Sequence, residues 1–508
     1  MRLIDAKTFE LKEFMGSNVP QYAILSHTWE DGEVTFQDYT QLTRTELRKK
    51  KGYTKIERTC RLALNSGIKW AWVDTCCIDK TSSAELTEAI NSMFRWYAES
   101  AVCYAYLSDL EADKKHDGTV EKYRHCRWFT RGWTLQELIA PRRLGFYNRK
   151  WEFQGEKQDL GAELAEITKI SKRILGDSSL LQTVSVAQRM SWAAGRQTTR
   201  TEDMAYCLLG IFDVQIPLLY GEGSKAFTRL QEEVAKESND LSLFAWRSAS
   251  TSSQKYAGIL ASSPDAFARS ADIELWGYPM FNDECLMTSK GLRVTPSTGS
   301  GLAWGKDGTY VLGLKCHYQN SRKTLGIFLR QHGDDVYTRI WPDELAQSSG
   351  DGDFGRIVKN RTSYMMKTVT PVLSVSLTTS HRQAINLQNA LKSLSKRGFS
   401  VADASFQPRG HWDSQREMFL TQGVSDFSYV VRFGRSPLGP LTLVCRLHSP
   451  DLSVSLDRDG HSSGGKTIIT QTKSGEEVLT ARVEKGSMQG QLVFFVHVDY
   501  EHLENSWR

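Results

Sequence analysis

Three patterns in the sequence predict an N-terminal α/β domain on a parallel sheet, a helical middle segment and an antiparallel β half. Four short apolar runs in the first third alternate with stretches of helical period. That is the pattern of strand–helix–strand units joined by right-handed crossovers. From about residue 160 the helical period continues without strands between. From about Tyr256 it shortens to two, with Gly, Ser and Asp turns separating the runs.

The first run, Tyr22-Ala23-Ile24-Leu25, stops at Ser26-His27 and leads into a polar loop over 28–38. A helix is expected over 54–64, where Ile56, Cys60 and Ala63-Leu64 recur at helical spacing before Gly67. The second run, Trp70-Ala71-Trp72-Val73, stops at Asp74. Ser82-x-x-Glu85 reads as a capping box, and Ile90, Met93, Phe94 and Tyr97 form the apolar face of the helix it opens. The third run, 102–107, stops at Ser108-Asp109. A fourth helix over 127–139 ends before Pro141, and the last run, Leu144-Gly145-Phe146-Tyr147, stops at Asn148. Together these define a small flavodoxin-like α/β domain over residues 1–158.

Residues 159–250 read as helical, over 160–175, 184–194 and 201–212, with Thr201 capping the third. Ser224 is the expected cap of a further helix through Phe227, Leu230 and Val234. Residues 251–508 read as an antiparallel β domain, sandwich or barrel, with clear strands at 441–445, 452–456, 466–470 and 491–498. Its His317, His448 and His497 are single strand residues with packing or surface roles.

At 508 residues the chain exceeds one ordinary core. Its 40% hydrophobic and 24% charged content is that of a soluble globular protein. A net charge of +5, spread over 64 basic and 59 acidic residues, gives no concentrated basic face and argues against nucleic acid as partner. The run Arg48-Lys49-Lys50-Lys51 reads as a solvated helix end. Nine irregularly spaced cysteines suit reduced, core-packed thiols, and no Cys/His cluster supplies a metal site. No signal core is expected at the start and no run approaches the ~20 apolar residues of a membrane span. The expectation is a cytoplasmic protein, off the membrane and without a bound metal.

Ligands of open parallel sheets bind outside the carboxyl ends of the strands, so Ser26, His27, Asp74 and Ser108 are expected on one rim. Glu137 follows Trp133 by four residues, hence on the same helical face, where an indole can receive a flat ring beside a carboxylate. The alternative is that Trp133 is core and Glu137 caps the helix or pairs with Arg131 or Arg142. A nucleophile–base pair at Ser26-His27 is disfavoured because adjacent strand residues point oppositely. Gly221-Glu222-Gly223-Ser224-Lys225 lacks the spacing of a phosphate loop and reads as a turn.

The segments Tyr22-Ala23-Ile24-Leu25-Ser26-His27-Thr28-Trp29, Trp72-Val73-Asp74-Thr75-Cys76-Cys77-Ile78-Asp79-Lys80, Cys103-Tyr104-Ala105-Tyr106-Leu107-Ser108-Asp109 and Arg131-Gly132-Trp133-Thr134-Leu135-Gln136-Glu137-Leu138, in that order, closely resemble the fungal heterokaryon-incompatibility (HET) domain. The stretch 196–223 looks like the segment that follows such domains. Glu30 departs from the pattern, since many of these domains carry Gly after the tryptophan. The resemblance implies vegetative incompatibility: non-self recognition followed by programmed cell death, a form of fungal innate immunity. HET domains are also similar to TIR domains, some of which hydrolyse NAD. The tryptophan-to-glutamate pattern of those enzymes is similar to Trp133–Glu137 here.

The resemblance therefore implies Glu137 as the catalytic carboxylate, with Ser26, His27, Trp29, Asp74, Ser108 and Trp133 shaping a substrate pocket. NAD would be a substrate, not a cofactor, cleaved to nicotinamide and ADP-ribose. The competing expectation is a non-catalytic TIR-like module that self-associates or docks an incompatibility partner and recruits a death effector.

Overall fold

The computed structural model describes residues 1–111, 120–249 and, with interruptions, 256–504. The chain divides into two compact units. The first comprises residues 1–247, 260–282 and 315–322, and the second the remainder.

The first unit holds a seven-stranded sheet in the order β2-β1-β4-β3-β5-β6-β7, made of β1 (Arg2–Asp5), β2 (Leu11–Glu13), β3 (Tyr22–His27), β4 (Trp70–Trp72), β5 (Val102–Tyr106), β6 (Leu144–Tyr147) and β7 (Phe153–Glu156). The four expected runs become its parallel centre, β4-β3-β5-β6. All six residues of β3 and all five of β5 are buried, as strands covered on both faces must be. The sheet is nonetheless mixed. The hairpin β1–β2 and strand β7 add antiparallel edges that the apolar runs did not announce. They are short and half-polar, and edges carry a weak hydrophobic signal. Chain order reverses at β3, whose neighbours β4 and β5 both follow it in sequence, so the crevice opens beside its carboxyl end.

Helices α1 (Phe36–Gln41) and α2 (Arg44–Leu47) form at the end of the expected polar loop and just beyond it, each opened by a complete capping box, Thr35/Asp38 and Thr43/Glu46. Helix α3 (Tyr53–Asn65) buries Tyr53, Ile56, Cys60 and Ala63 on the expected face. After α4 (Asp74–Cys77), helix α5 (Ser83–Glu99) starts at Ser82, whose hydroxyl accepts the Glu85 amide at 3.3 Å. Only half of the expected box forms there. The Glu85 carboxylate turns instead to the Asp79 amide and to Arg2.

The helix expected over 127–139 is broken. A 3-10 turn, Arg127–Thr130, precedes an extended Arg131, and the α-helix starts only at Thr134. After α6 (Glu121–Arg124), it is α7 (Thr134–Ile139) that carries Glu137. Its last turn is held by the buried Lys157 ammonium, which donates to the carbonyls of Leu138 (3.2 Å), Ile139 (3.4 Å) and Pro141.

The middle segment is helical but more fragmented than its periodicity suggested. It comprises α8 (Gly161–Thr168), α9 (Lys172–Gly176), α10 (Val186–Ser191), α11 (Asp203–Tyr206), α12 (Leu209–Phe212) and α13 (Lys225–Glu237). Neither Thr201 nor Ser224 caps by its side chain; Glu202 and Ser224 precede α11 and α13 without such a bond. Returning residues lock these helices in place. Ser185 donates to the Ile273 carbonyl at 2.7 Å, and the Gln231 amide exchanges two hydrogen bonds with the Ala261 backbone.

The second unit is β-rich. A six-stranded sheet containing Gln383–Asn386, Gly475–Met488 and Gln491–Glu504 shares one apolar core with a four-stranded sheet of Phe406–Gln407, Asp426–Phe433, Leu441–His448 and Asp451–Asp457. Ile385, Phe494 and Val496 from one sheet meet Tyr429, Leu443 and Leu456 from the other. Most pairs are antiparallel as expected. Gln383–Asn386 with Gln491–Glu504 and Val336–Ile340 with Ser363–Met365 are parallel exceptions. Among the described residues no helix is long and apolar enough to cross a membrane.

Gly210 of α12 sits so close to α5 that a Cβ there would lie 2.1 Å from Cβ of Phe94, whereas Gly176 in α9 has nothing within 4 Å. Gly210→Ala should therefore destabilise the first unit by about 1–3 kcal/mol. Gly176→Ala should stabilise it by about 0.4–1 kcal/mol. Urea unfolding midpoints of the two variants against wild type check the contrast.

Candidate functional site

A cavity of about 410 Å³ opens within the first unit beyond the carboxyl ends of β3 and β4. That volume suits a small organic ligand. Of the expected residues, His27, Trp29, Asp74, Trp133 and Glu137 line it; Ser26 and Ser108 do not.

Ser26 is fully buried behind the wall. Its Oγ accepts from Trp128 Nε1 at 2.8 Å and donates to Glu137 Oε2 at 2.5 Å. An indole N–H can only donate, so Trp128 fixes the serine hydroxyl toward the carboxyl. Ser26 is thus a positioning residue for Glu137. Ser108 lies instead beside Arg127, which donates to its Oγ at 3.2 Å and to Glu30 at 2.9 Å. Asn148, the fourth polar strand end, is spent on its own turn, accepting the Lys150 and Glu152 amides.

Glu137 is 7% exposed. Its hydrogen-bonding partner is Ser26, not an arginine, and the Tyr97 hydroxyl near it donates to the Leu25 carbonyl at 3.1 Å. Burial is the dominant influence on its carboxyl, reinforced by the charge of Asp74. Ser26, Tyr97 and Arg131 pull the other way, and the pKa is pushed up to about 8. The carboxyl therefore favours its protonated form at neutral pH.

Asp74 behaves oppositely. Burial alone would raise its carboxyl, but Lys80, His27 and Trp29 outweigh that and hold it well below the usual carboxylate range. His27 Nε2 is 3.1 Å from Asp74 Oδ1, Trp29 Nε1 is 2.8 Å from Oδ2, and Lys80 Nζ is 3.7 Å from the same oxygen. On its other side His27 Nδ1 meets Lys55 Nζ at 3.2 Å. An ammonium can only donate, so the ring presents a lone pair at Nδ1 and its N–H at Nε2, toward Asp74. Lys55 itself is buried and further satisfied by Glu33 and by the Thr28 carbonyl at 3.1 Å. Glu30 joins this chain of alternating charges, lying 3.5 Å from Lys55. The residue that departs from the HET pattern thereby ties the first loop to Arg127.

Trp29 is pinned by Asp74 at its edge, and Lys80 covers one of its faces, 3.5 Å from the ring centroid. The indole is still 52% exposed.

Several wall residues were not foreseen: Tyr97, Lys80, Arg131, Thr199, Arg200, Asp203 and Tyr220. Most come from the middle segment, which docks against the start of α7. Arg131 and Gln197 form a parallel bridge, with Gln197 N donating to the Thr130 carbonyl (2.7 Å) and Gly132 N to the Gln197 carbonyl (2.9 Å). Gly132 is needed there, since a Cβ would lie 2.6 Å from Thr198 Cγ2. Buried Arg196 adds a bond from Nη1 to the Arg131 carbonyl at 2.9 Å. Beyond this seam Tyr220 donates to Asp203 Oδ1 at 3.0 Å, and Trp133 also acts to lower the pKa of that carboxyl, which burial raises. The one sequence signal for these residues was the likeness of 196–223 to the segment that follows HET domains. Spacing could not have placed Asp203 beside Trp133.

Residues 22–123 match the family model described as "Heterokaryon incompatibility protein (HET)", and residues 225–273 match one described as a domain of unknown function, DUF8212. The chain is 47% identical over 233 residues to the vegetative incompatibility protein HET-E-1 of Podospora anserina. That match covers 44% of this chain and 17% of the relative, so the chain spans about a sixth of that protein's length. No solved structure matches. The chain carries a heterokaryon-incompatibility domain.

Because Glu137 titrates near 8 when folded and near 4.5 when free, the folded chain keeps a proton between those values that the unfolded chain loses. Its contribution to stability is full below about 4.5 and falls as pH rises through about 8. Glu137→Gln removes this dependence. Its melting temperature relative to wild type should rise from pH 5 to pH 9, by roughly 3–5 kcal/mol in stability. A gap independent of pH would refute the assigned protonation.

Proposed function

We propose that this HET-domain chain acts in vegetative incompatibility and that its first unit is a TIR-like enzyme hydrolysing NAD. The observation that carries the reading is Glu137, a buried carboxyl presented by Ser26 and Trp128 to an aromatic-walled cavity. Support for TIR likeness comes from the parallel order β4-β3-β5-β6, which is 2-1-3-4 when the parallel strands are numbered along the chain. It is the flavodoxin-like order, with the cavity at its switch point.

In the reaction the C1′–N bond of the nicotinamide riboside moiety breaks and its electron pair passes to the ring nitrogen. The pyridinium leaves as neutral nicotinamide. Water adds to C1′ and releases a proton, giving ADP-ribose. Little help to the leaving group is needed; the cationic ribosyl centre must be stabilised. Entry of the cationic ring beside Glu137 favours loss of its proton, so the carboxylate forms where positive charge develops. Trp133 offers a flat face within one helical turn of it. Ser26 and Trp128 act through Glu137. Asp74, His27 and Trp29 hold the loop after β3. Self-association or an incompatibility partner would control the cytoplasmic enzyme.

The purified chain should release nicotinamide from NAD, and Glu137→Gln should lower kcat by roughly 10²–10³. Below about pH 8 the activity of the free enzyme should rise with pH as Glu137 ionises. Cell death that persists in Glu137→Ala would instead favour the non-catalytic module.

A further inference from the structure

The cavity carries more positive charge than its carboxyls use. Three cations line it: Lys80, Arg131 and Arg200. Lys80 answers Asp74 at 3.7 Å. Among the described residues neither arginine forms an ion pair within 4.0 Å. Arg131 donates to Thr199 Oγ1 at 3.1 Å, and Arg200 lies over the Tyr220 ring at 4.3 Å.

Their convergence is built into the backbone. The Arg131–Gln197 bridge and the Arg196 bond to the Arg131 carbonyl staple the two arginine-bearing segments together. Thr199 then orients one guanidinium and Tyr220 the other. Tyr220 is itself anchored to Asp203. Two oriented guanidiniums with no close ion pair among the described residues, at an aromatic-walled cavity, form a receptor for phosphate oxygens.

We propose that Arg131 and Arg200, with Lys80, form a phosphate subsite that binds the pyrophosphate of a dinucleotide and sets its ribosyl centre against Glu137. This rests on the hydrolase reading and adds a substrate requirement to it: a phosphorylated nucleoside, not a free one. Charged hydrogen bonds of this kind contribute about 1.5–3 kcal/mol each. Loss of the Arg200 guanidinium should therefore raise KM by about tenfold or more while leaving kcat nearly unchanged.

The test compares NAD with nicotinamide riboside, which has the same scissile bond and no phosphate, on the full chain. Wild type should prefer NAD by at least about a hundredfold in kcat/KM. Arg200→Gln, at an exposed side chain, should raise KM for NAD and leave riboside hydrolysis unaltered, and Arg131→Gln should cost NAD more than the riboside. Equal use of both substrates, or a parallel loss on both, would overturn the subsite. If neither substrate is cleaved, the hydrolase reading fails, and calorimetry with inorganic pyrophosphate decides the subsite alone. Binding by wild type that disappears in the double variant supports it, and absence of binding overturns it.

Discussion

The hydrogen bond between Ser26 and Glu137 is the contact on which the site depends. It joins the central strand to α7 across 111 residues of sequence. A carboxyl placed there without it would be a buried acid lacking its strongest compensation. Trp128 from the 3-10 turn fixes the serine, Tyr97 of α5 bears on the same carboxyl, and Lys157 holds the helix end one turn beyond. Helix, strand and turn are thus oriented by a small set of buried polar contacts centred on this bond. The price is a destabilised anion, so the carboxyl favours its protonated form.

Asp74 shows the same environment used the other way. It is half-buried where Glu137 is buried, and Lys80, His27 and Trp29 keep it charged. The contrast between two carboxyls on one wall separates a fixed charge that shapes the loop from a proton-bearing group that can respond to a ligand. Lys55 closes the far side of His27, so the loop after β3 is organised by charge pairing more than by apolar packing.

Much of the parallel centre of the sheet was legible because strands buried on both faces leave continuous apolar runs, and 22–25, 102–107 and 144–147 are such runs. The antiparallel edges were not, since β1, β2 and β7 are three or four residues long, and β2 and β7 are only partly buried. At the site, Glu137 and Trp133 were visible through helical spacing, although Trp133 precedes α7 rather than lying within it. Ser26 was recognised by position and mistaken in role. A strand-end serine turned to solvent and one turned inward look identical until the indole of Trp128 is placed. Ser108 was misassigned for a related reason: Arg127, from outside the strand, captures it. Arg200, Asp203 and Tyr220 were out of reach because tertiary docking of the middle segment brings them in.

That docking has a consequence for the order in which the molecule comes into being. The HET match ends at residue 123, before Glu137, and the cavity wall is finished only by Tyr220. A nascent chain emerges from its N-terminus and folds by regions as they are released. The sheet strands are available early, whereas the seam between Gln197 and Thr130 forms late. A half-made chain thus contains the fold's centre without a closed cavity, and whatever the cavity binds has no complete site until synthesis has passed Tyr220.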